Sequence, residues 1–195
     1  MKKTTTIFLT IAALFTLAQG PAQAQSWTSD ALHSSMRFSV RHVMAPFVGR
    51  FDGYQVDVVL DDNELKNATV TASIDPATVN SFSDGRDEHL KGEEFFDVAN
   101  SPDHWTFISS SVKKTGEGEY IAKGKLTAKG VTKKIEVPFK FLGQMETRWG
   151  PKAGITASFT ILRSDFGLGD DVGGLIGDEV TFMANLEMNA RKSAE

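Results

Sequence analysis

The chain has 195 residues, of which 41% are hydrophobic, a formal net charge of −4 and no cysteine. Without cysteine there is no disulfide framework, no thiolate catalysis and no cysteine-held zinc. The acidic balance argues against nucleic acid, whose phosphates demand a basic surface, and against adhesion to anionic lipid by charge.

The first expected element is a secretory signal peptide. Lys2 and Lys3 precede a mostly apolar run from Ile7 to Leu17, and Ala22-Gln23-Ala24 fits a small-residue cleavage site. The run falls short of the roughly 20 residues a bilayer span needs. Residues 1–24 are therefore expected to be cleaved, and 25–195 to form one exported domain with no stable membrane insertion.

Strands follow, each marked by alternation of apolar and polar residues. Met36, Phe38, Val40 and His42 alternate with Arg37, Ser39 and Arg41; Tyr54–Leu60 runs to the turn signal Asp61-Asp62-Asn63; Val70–Ile74 stops at Asp75-Pro76. A charged, glycine-bounded stretch, Ser83–Gly92, breaks the pattern and reads as a short helix across one end of the sheet, with Phe95 and Phe96 plugging in beneath it. Trp105–Val112 is the next strand, then Tyr120–Thr127 and Val131–Leu142 on either side of a three-residue turn at Ala128-Lys129-Gly130. Pro138 cannot donate to a ladder and marks an edge or a bulge. Ile155–Leu162 and Val180–Asn189 bring the count to about eight, the spacing of an all-β sandwich or closed barrel.

An eight-stranded barrel either fills with side chains or holds one small ligand. Its inward positions are rich in phenylalanine: Phe38, Phe107, Phe139, Phe141, Phe159 and Phe182. Such rings carry no polar tip and suit a greasy lining, but periodicity does not separate a pocket wall from a filled core.

The usual catalytic and metal motifs are missing. His33, His42, His89 and His104 show no metal-ligand spacing, and no G-x-S-x-G occurs. Gly167–Gly174 is a near miss to a dinucleotide loop with two aspartates where a pyrophosphate would approach. Asp165, Asp170, Asp171 and Asp178 lack the EF-hand spacing for calcium. Three polar groups remain: His42, on the inward face; Arg86 with Asp87, in the lid-like segment; and Arg163 with Asp165, at a strand end. They form either a structural network closing the barrel or a polar mouth that receives a ligand head group.

Five blocks in order resemble the YceI-like family of bacterial periplasmic lipid-binding proteins, also called polyisoprenoid-binding proteins. They are Ser34–His42 with Gly49-Arg50-Phe51; Arg86–Leu90 with Phe95-Phe96-Asp97 and Ser101–Phe107; Gly124–Lys133; Arg163–Gly167; and Ile176–Val180. The resemblance implies a lipocalin-like eight-stranded antiparallel barrel with a short helix near its mouth. It implies a periplasmic carrier for a polyprenyl phosphate, an isoprenoid quinone or a fatty amide, usually as a homodimer, and no catalysis. Val40, Phe51, Phe95 and Phe96 then join the six phenylalanines as candidate pocket wall, and His42, Arg86, Asp87, Arg163 and Asp165 as candidate polar mouth. Two other readings stand beside it: sequestration of lipophilic antibiotics, as relatives are thought to do, and a lipid-modifying enzyme using His42 with Asp87 or Asp165.

Overall fold

A computed structural model of the protein describes residues 25–61, 64–169 and 173–191. The expected signal peptide lies outside them. The strands are β1 (Ser26–Ser29), β2 (Ser35–His42), β3 (Ala45–Phe51), β4 (Tyr54–Asp61), β5 (Glu64–Ile74), β6 (Val79–Asn80), β7 (Trp105–Gly116), β8 (Glu119–Ala128), β9 (Val131–Thr147), β10 (Gly150–Leu162) and β11 (Ile176–Arg191), with one helix, α1 (Asp84–Lys91), between β6 and β7.

These strands make eight walls of a closed antiparallel barrel. The first three walls are each broken in the middle: β1 runs on into β2, β3 into β4, and β5 into β6. Two of these breaks escape alternation, because β1 and β3 are short and carry few inward apolar residues. β11 closes the barrel by pairing with β2 along its first half (Asn185 opposite Ser35) and with β1 along its second (Met188 opposite Ser29).

The breaks are held by polar contacts. At the β1–β2 kink, the Asp30 amide donates to the Glu187 carbonyl at 2.8 Å, and Lys152 Nζ bridges the carboxylates of Asp30 at 3.2 Å and Glu187 at 2.9 Å. At the β3–β4 kink, the Gly53 amide donates to Thr78 Oγ1 at 2.7 Å. Burial alone would push the Asp30 carboxyl up. Hydrogen bonds from His33, the Leu32 amide, Lys152 and Asn189 outweigh it and hold the group well below the usual carboxylate range. A depressed folded-state pKa means stability that is present above the unfolded value near 3.8 and lost as pH falls through the folded value. Acid titration of unfolding should therefore show a loss below about pH 4 that Asp30→Asn removes, together with a lower stability at neutral pH. An unchanged acid limb in the variant would show that the kink is held some other way.

The turn between β8 and β9 has two residues, not three: Lys129 and Gly130 both have positive φ, 47° and 75°, the backbone of a primed hairpin turn that matches strand twist. Pro138 lies just past the last β9–β10 pair, Phe139 with Ala157, where β10 has left the ladder.

Inward alternation builds one continuous core. Phe51, 2% exposed, is its hub, with ring centroids at 5.4 Å from Phe38, 5.6 Å from Trp105, 6.0 Å from Phe96 and 6.5 Å from Phe182. Gly49 pairs with Phe38 across β2–β3, and a Cβ there would overlap the Phe38 ring. The absent side chain is what lets that ring lie against the wall.

Candidate functional site

α1 closes one end of the barrel. It is polar apart from the buried Leu90, and Ser81, fully buried, anchors it. Asp87 accepts from the Ser81 amide at 2.7 Å and from its hydroxyl. Arg86 donates from Nε to Ser81 Oγ at 2.8 Å and from its terminal nitrogen to the Ser81 carbonyl. The Arg86 guanidinium also lies 4.7 Å over the Phe47 ring, a cation–π contact that fixes it at the rim. After the helix the chain turns back, with the Phe96 amide on the Leu90 carbonyl at 3.0 Å. This turn drives Phe95 and Phe96 inward, each under a tenth exposed.

Beneath the helix is a cavity of about 190 Å³, lined by Phe38, Val40, Phe47, Phe51, Phe95, Phe96, Leu168, Val180 and Phe182 among others. A second cavity of about 100 Å³ follows along the barrel axis. Trp105, Ile161 and Phe182 line both, so they form a waist between them. The middle cavity is walled by Phe107, Phe139, Phe159 and aliphatic residues, and five of its lining residues are alanines: Ala72, Ala122, Ala128, Ala157 and Ala184. Small inward side chains leave the space that larger ones would fill. A third cavity of about 510 Å³ opens at the far end, shares Val58, Leu65 and Ile155 with the middle one, and has Glu64, Lys66, Lys114 and Gln144 on its rim. The three adjoin in series through these shared residues, as a channel that is apolar at the helix end and in the middle and polar at its far rim.

The expected pocket residues are distributed along this channel. Phe38, Val40, Phe51, Phe95 and Phe96 line the helix-end cavity; Phe107, Phe139 and Phe159 the middle one; Phe182 both. Phe141 differs: it lies half-buried at the far-end opening, near Tyr120. β9 is long, and a position two residues along a strand moves a side chain about 7 Å down the axis.

Of the expected polar mouth, His42, Arg86 and Arg163 border the helix-end cavity and Asp87 and Asp165 do not. His42 keeps its inward register and borders the helix-end cavity, but it sits exposed at the strand end. Arg86 borders the cavity, with its Nε and one terminal nitrogen on Ser81. Asp87 is committed to Ser81 as well. Arg163 is buried, 8% exposed, and donates to the carbonyls of Gly169 at 2.6 Å, Gly177 at 3.1 Å and Leu168 at 3.2 Å. Asp165 is exposed outside the barrel and bridges to Lys133 at 3.2 Å. The single turn of 3-10 helix at Arg163–Phe166 sends side chains two positions apart in divergent directions. Neither Asp87 nor Asp165 is bonded to His42. Asp178 is held below the usual carboxylate range by the Ser164 amide and hydroxyl, while Asp170 and Asp171 lie outside the described residues.

Sequence reasoning did not single out Phe47, Trp105, Leu168 or the inward alanines. Trp105 shares the inward face with Phe107 by simple alternation, and so was within reach of the pattern.

The family model for the YceI-like domain matches residues 27–188. The chain belongs to the YceI-like family. A UPF0312 protein of Pseudomonas aeruginosa is 31% identical over 175 residues, 89% of this chain and 91% of the relative. A UPF0312 protein of a Shewanella strain is 32% identical over 161 residues, 80% of this chain and 84% of its own length. Among solved structures, BcnA of Burkholderia cenocepacia matches with a TM-score of 0.75 at 23% identity, over 82% of this chain and 98% of that one. A polyisoprenoid binding domain from Saccharophagus degradans matches with a TM-score of 0.62 at 15% identity, over 85% of this chain and 98% of that one. These likenesses establish the lipocalin-like barrel as the YceI-like fold.

Proposed function

We propose that this protein is an exported binding protein that carries a long-chain isoprenoid or similar amphiphilic lipid in its barrel, in the periplasm, without chemical change to the cargo. The observation that carries the reading is the pair of adjoining cavities with an almost wholly apolar lining, continued by a third that opens through a polar rim. Such a channel suits a flexible hydrocarbon: each CH₂ it removes from water contributes roughly 0.8 kcal/mol. The fold shared with a polyisoprenoid binding domain supports the same reading. Catalysis on the lipid has less support, since both carboxylates that were candidates to partner His42 are committed elsewhere.

The test is native mass spectrometry of the protein purified without detergent from its own periplasm, followed by solvent extraction of any bound molecule. A stoichiometric, unmodified long-chain lipid is the expected result, and the mass of the complex reads the homodimer that belongs to the same proposal. An empty barrel that takes up no added lipid would overturn the reading. Broad displacement by unrelated lipophilic drugs would point to sequestration of foreign compounds instead.

A further inference from the structure

We propose that Trp105 is a specificity residue inside the channel, whose indole N–H donates to a neutral oxygen carried by the bound lipid, so that the cargo's polar group lies at the waist and not at the rim. This inference rests on the lipid-binding reading above and deepens it.

Trp105 is 4% exposed, yet its Nε1 has no hydrogen-bond partner. A buried indole N–H ordinarily finds an acceptor, so this one asks where its acceptor comes from. The residue lines both the helix-end and the middle cavity. No other residue lining the middle cavity carries a side-chain oxygen or nitrogen. In the helix-end cavity the other polar side chains are His42, Arg86, His89 and Arg163. The arginines are pure donors, and the two imidazoles sit exposed at the rim. Among the side chains of the waist, Trp105, Ile161 and Phe182, a water would find one partner where a buried water needs two to four. The rings of Phe96 and Phe51 approach the indole at 4.8 Å and 5.6 Å, and an N–H···π contact is a weak substitute for an oxygen. The acceptor therefore arrives with the ligand.

The same surroundings select its chemistry. Arg163, the buried cation of this region, has guanidinium nitrogens on the Gly169, Gly177 and Leu168 carbonyls. An ionised phosphate drawn to the waist would be desolvated without a dedicated counter-ion, which is strongly disfavoured. A carbonyl, ester or amide oxygen needs one donor and no charge.

The experiment compares the affinities of wild type and Trp105→Phe for a hexaprenyl benzoquinone and for squalene, its hydrocarbon counterpart, by displacement of a fluorescent fatty probe. The variant should bind the quinone about tenfold more weakly, the loss of roughly one net hydrogen bond, and squalene within twofold of wild type. Independently of whether the variant folds, the indole N–H resonance of Trp105 in ¹⁵N-labelled wild type serves as a second readout. It should move downfield on addition of the quinone and stay in place with squalene. Equal loss for both probes, or no quinone-specific shift, would make Trp105 a packing residue and overturn the proposal while leaving lipid binding intact. A wild type that binds neither probe would overturn the lipid reading and this inference with it.

Discussion

Replacing Arg163 with methionine is expected to destabilise the protein by about 3 kcal/mol, the scale of stripping a buried charged donor from its acceptors. The guanidinium joins the loop at Leu168 and Gly169 to the start of β11 at Gly177. Methionine fills much of the stem's volume but offers no donor, so these carbonyls lose their partner in a region that water reaches poorly. Lysine, with one compact ammonium in place of a planar fork, should recover only part of the loss. Urea unfolding checks this: the midpoint should fall with an unchanged slope. A methionine variant as stable as wild type would mean that these hydrogen bonds contribute little to stability, and would strengthen Arg163, which borders the helix-end cavity, as a ligand-binding candidate.

Enlarging Ala184 to phenylalanine should separate binding from folding. Ala184 is 5% exposed, faces the middle cavity and pairs with Ala157 across β10–β11. The added ring enters existing space. Its burial contributes roughly 1.5–3 kcal/mol, which offsets an overpacking cost of about 1–3 kcal/mol, so the melting temperature should change little. Lipid retention should fall at least about tenfold, because the channel is cut at its midpoint and the shortened chain buries fewer CH₂ groups. Thermal melting and solvent extraction of the purified variant read the two effects separately. Full retention of a long-chain lipid would show that the cargo does not pass the waist.

Alternation along the chain carries most of the architecture, because a strand's side chains point to opposite faces with a period of two. It places Phe38, Phe107, Phe139 and Phe182 inside, and the charged, glycine-bounded Ser83–Gly92 segment at the end as α1. Period says which face, though, and not how deep. His42 has the inward register of Phe38 and Val40 but lies at a strand end, in solvent. Phe141 is one repeat beyond Phe139 and falls in the far-end opening. Arg163 and Asp165 look like a pair in sequence, but the 3-10 turn sends one into the core and the other to Lys133.

By itself, then, the sequence determined the closed eight-walled barrel, its inward phenylalanines, the capping helix and the family, since each of these follows from local periodicity or ordered motifs. Only the tertiary structure decided whether the barrel is hollow. That depends on the summed volume of side chains meeting from opposite walls, where alanines far apart in the chain, Ala72, Ala122, Ala157 and Ala184, converge on the middle cavity. The same holds for the polar groups: whether Arg86, Asp87 and Arg163 are free for a ligand turns on acceptors and donors that distant segments bring to them.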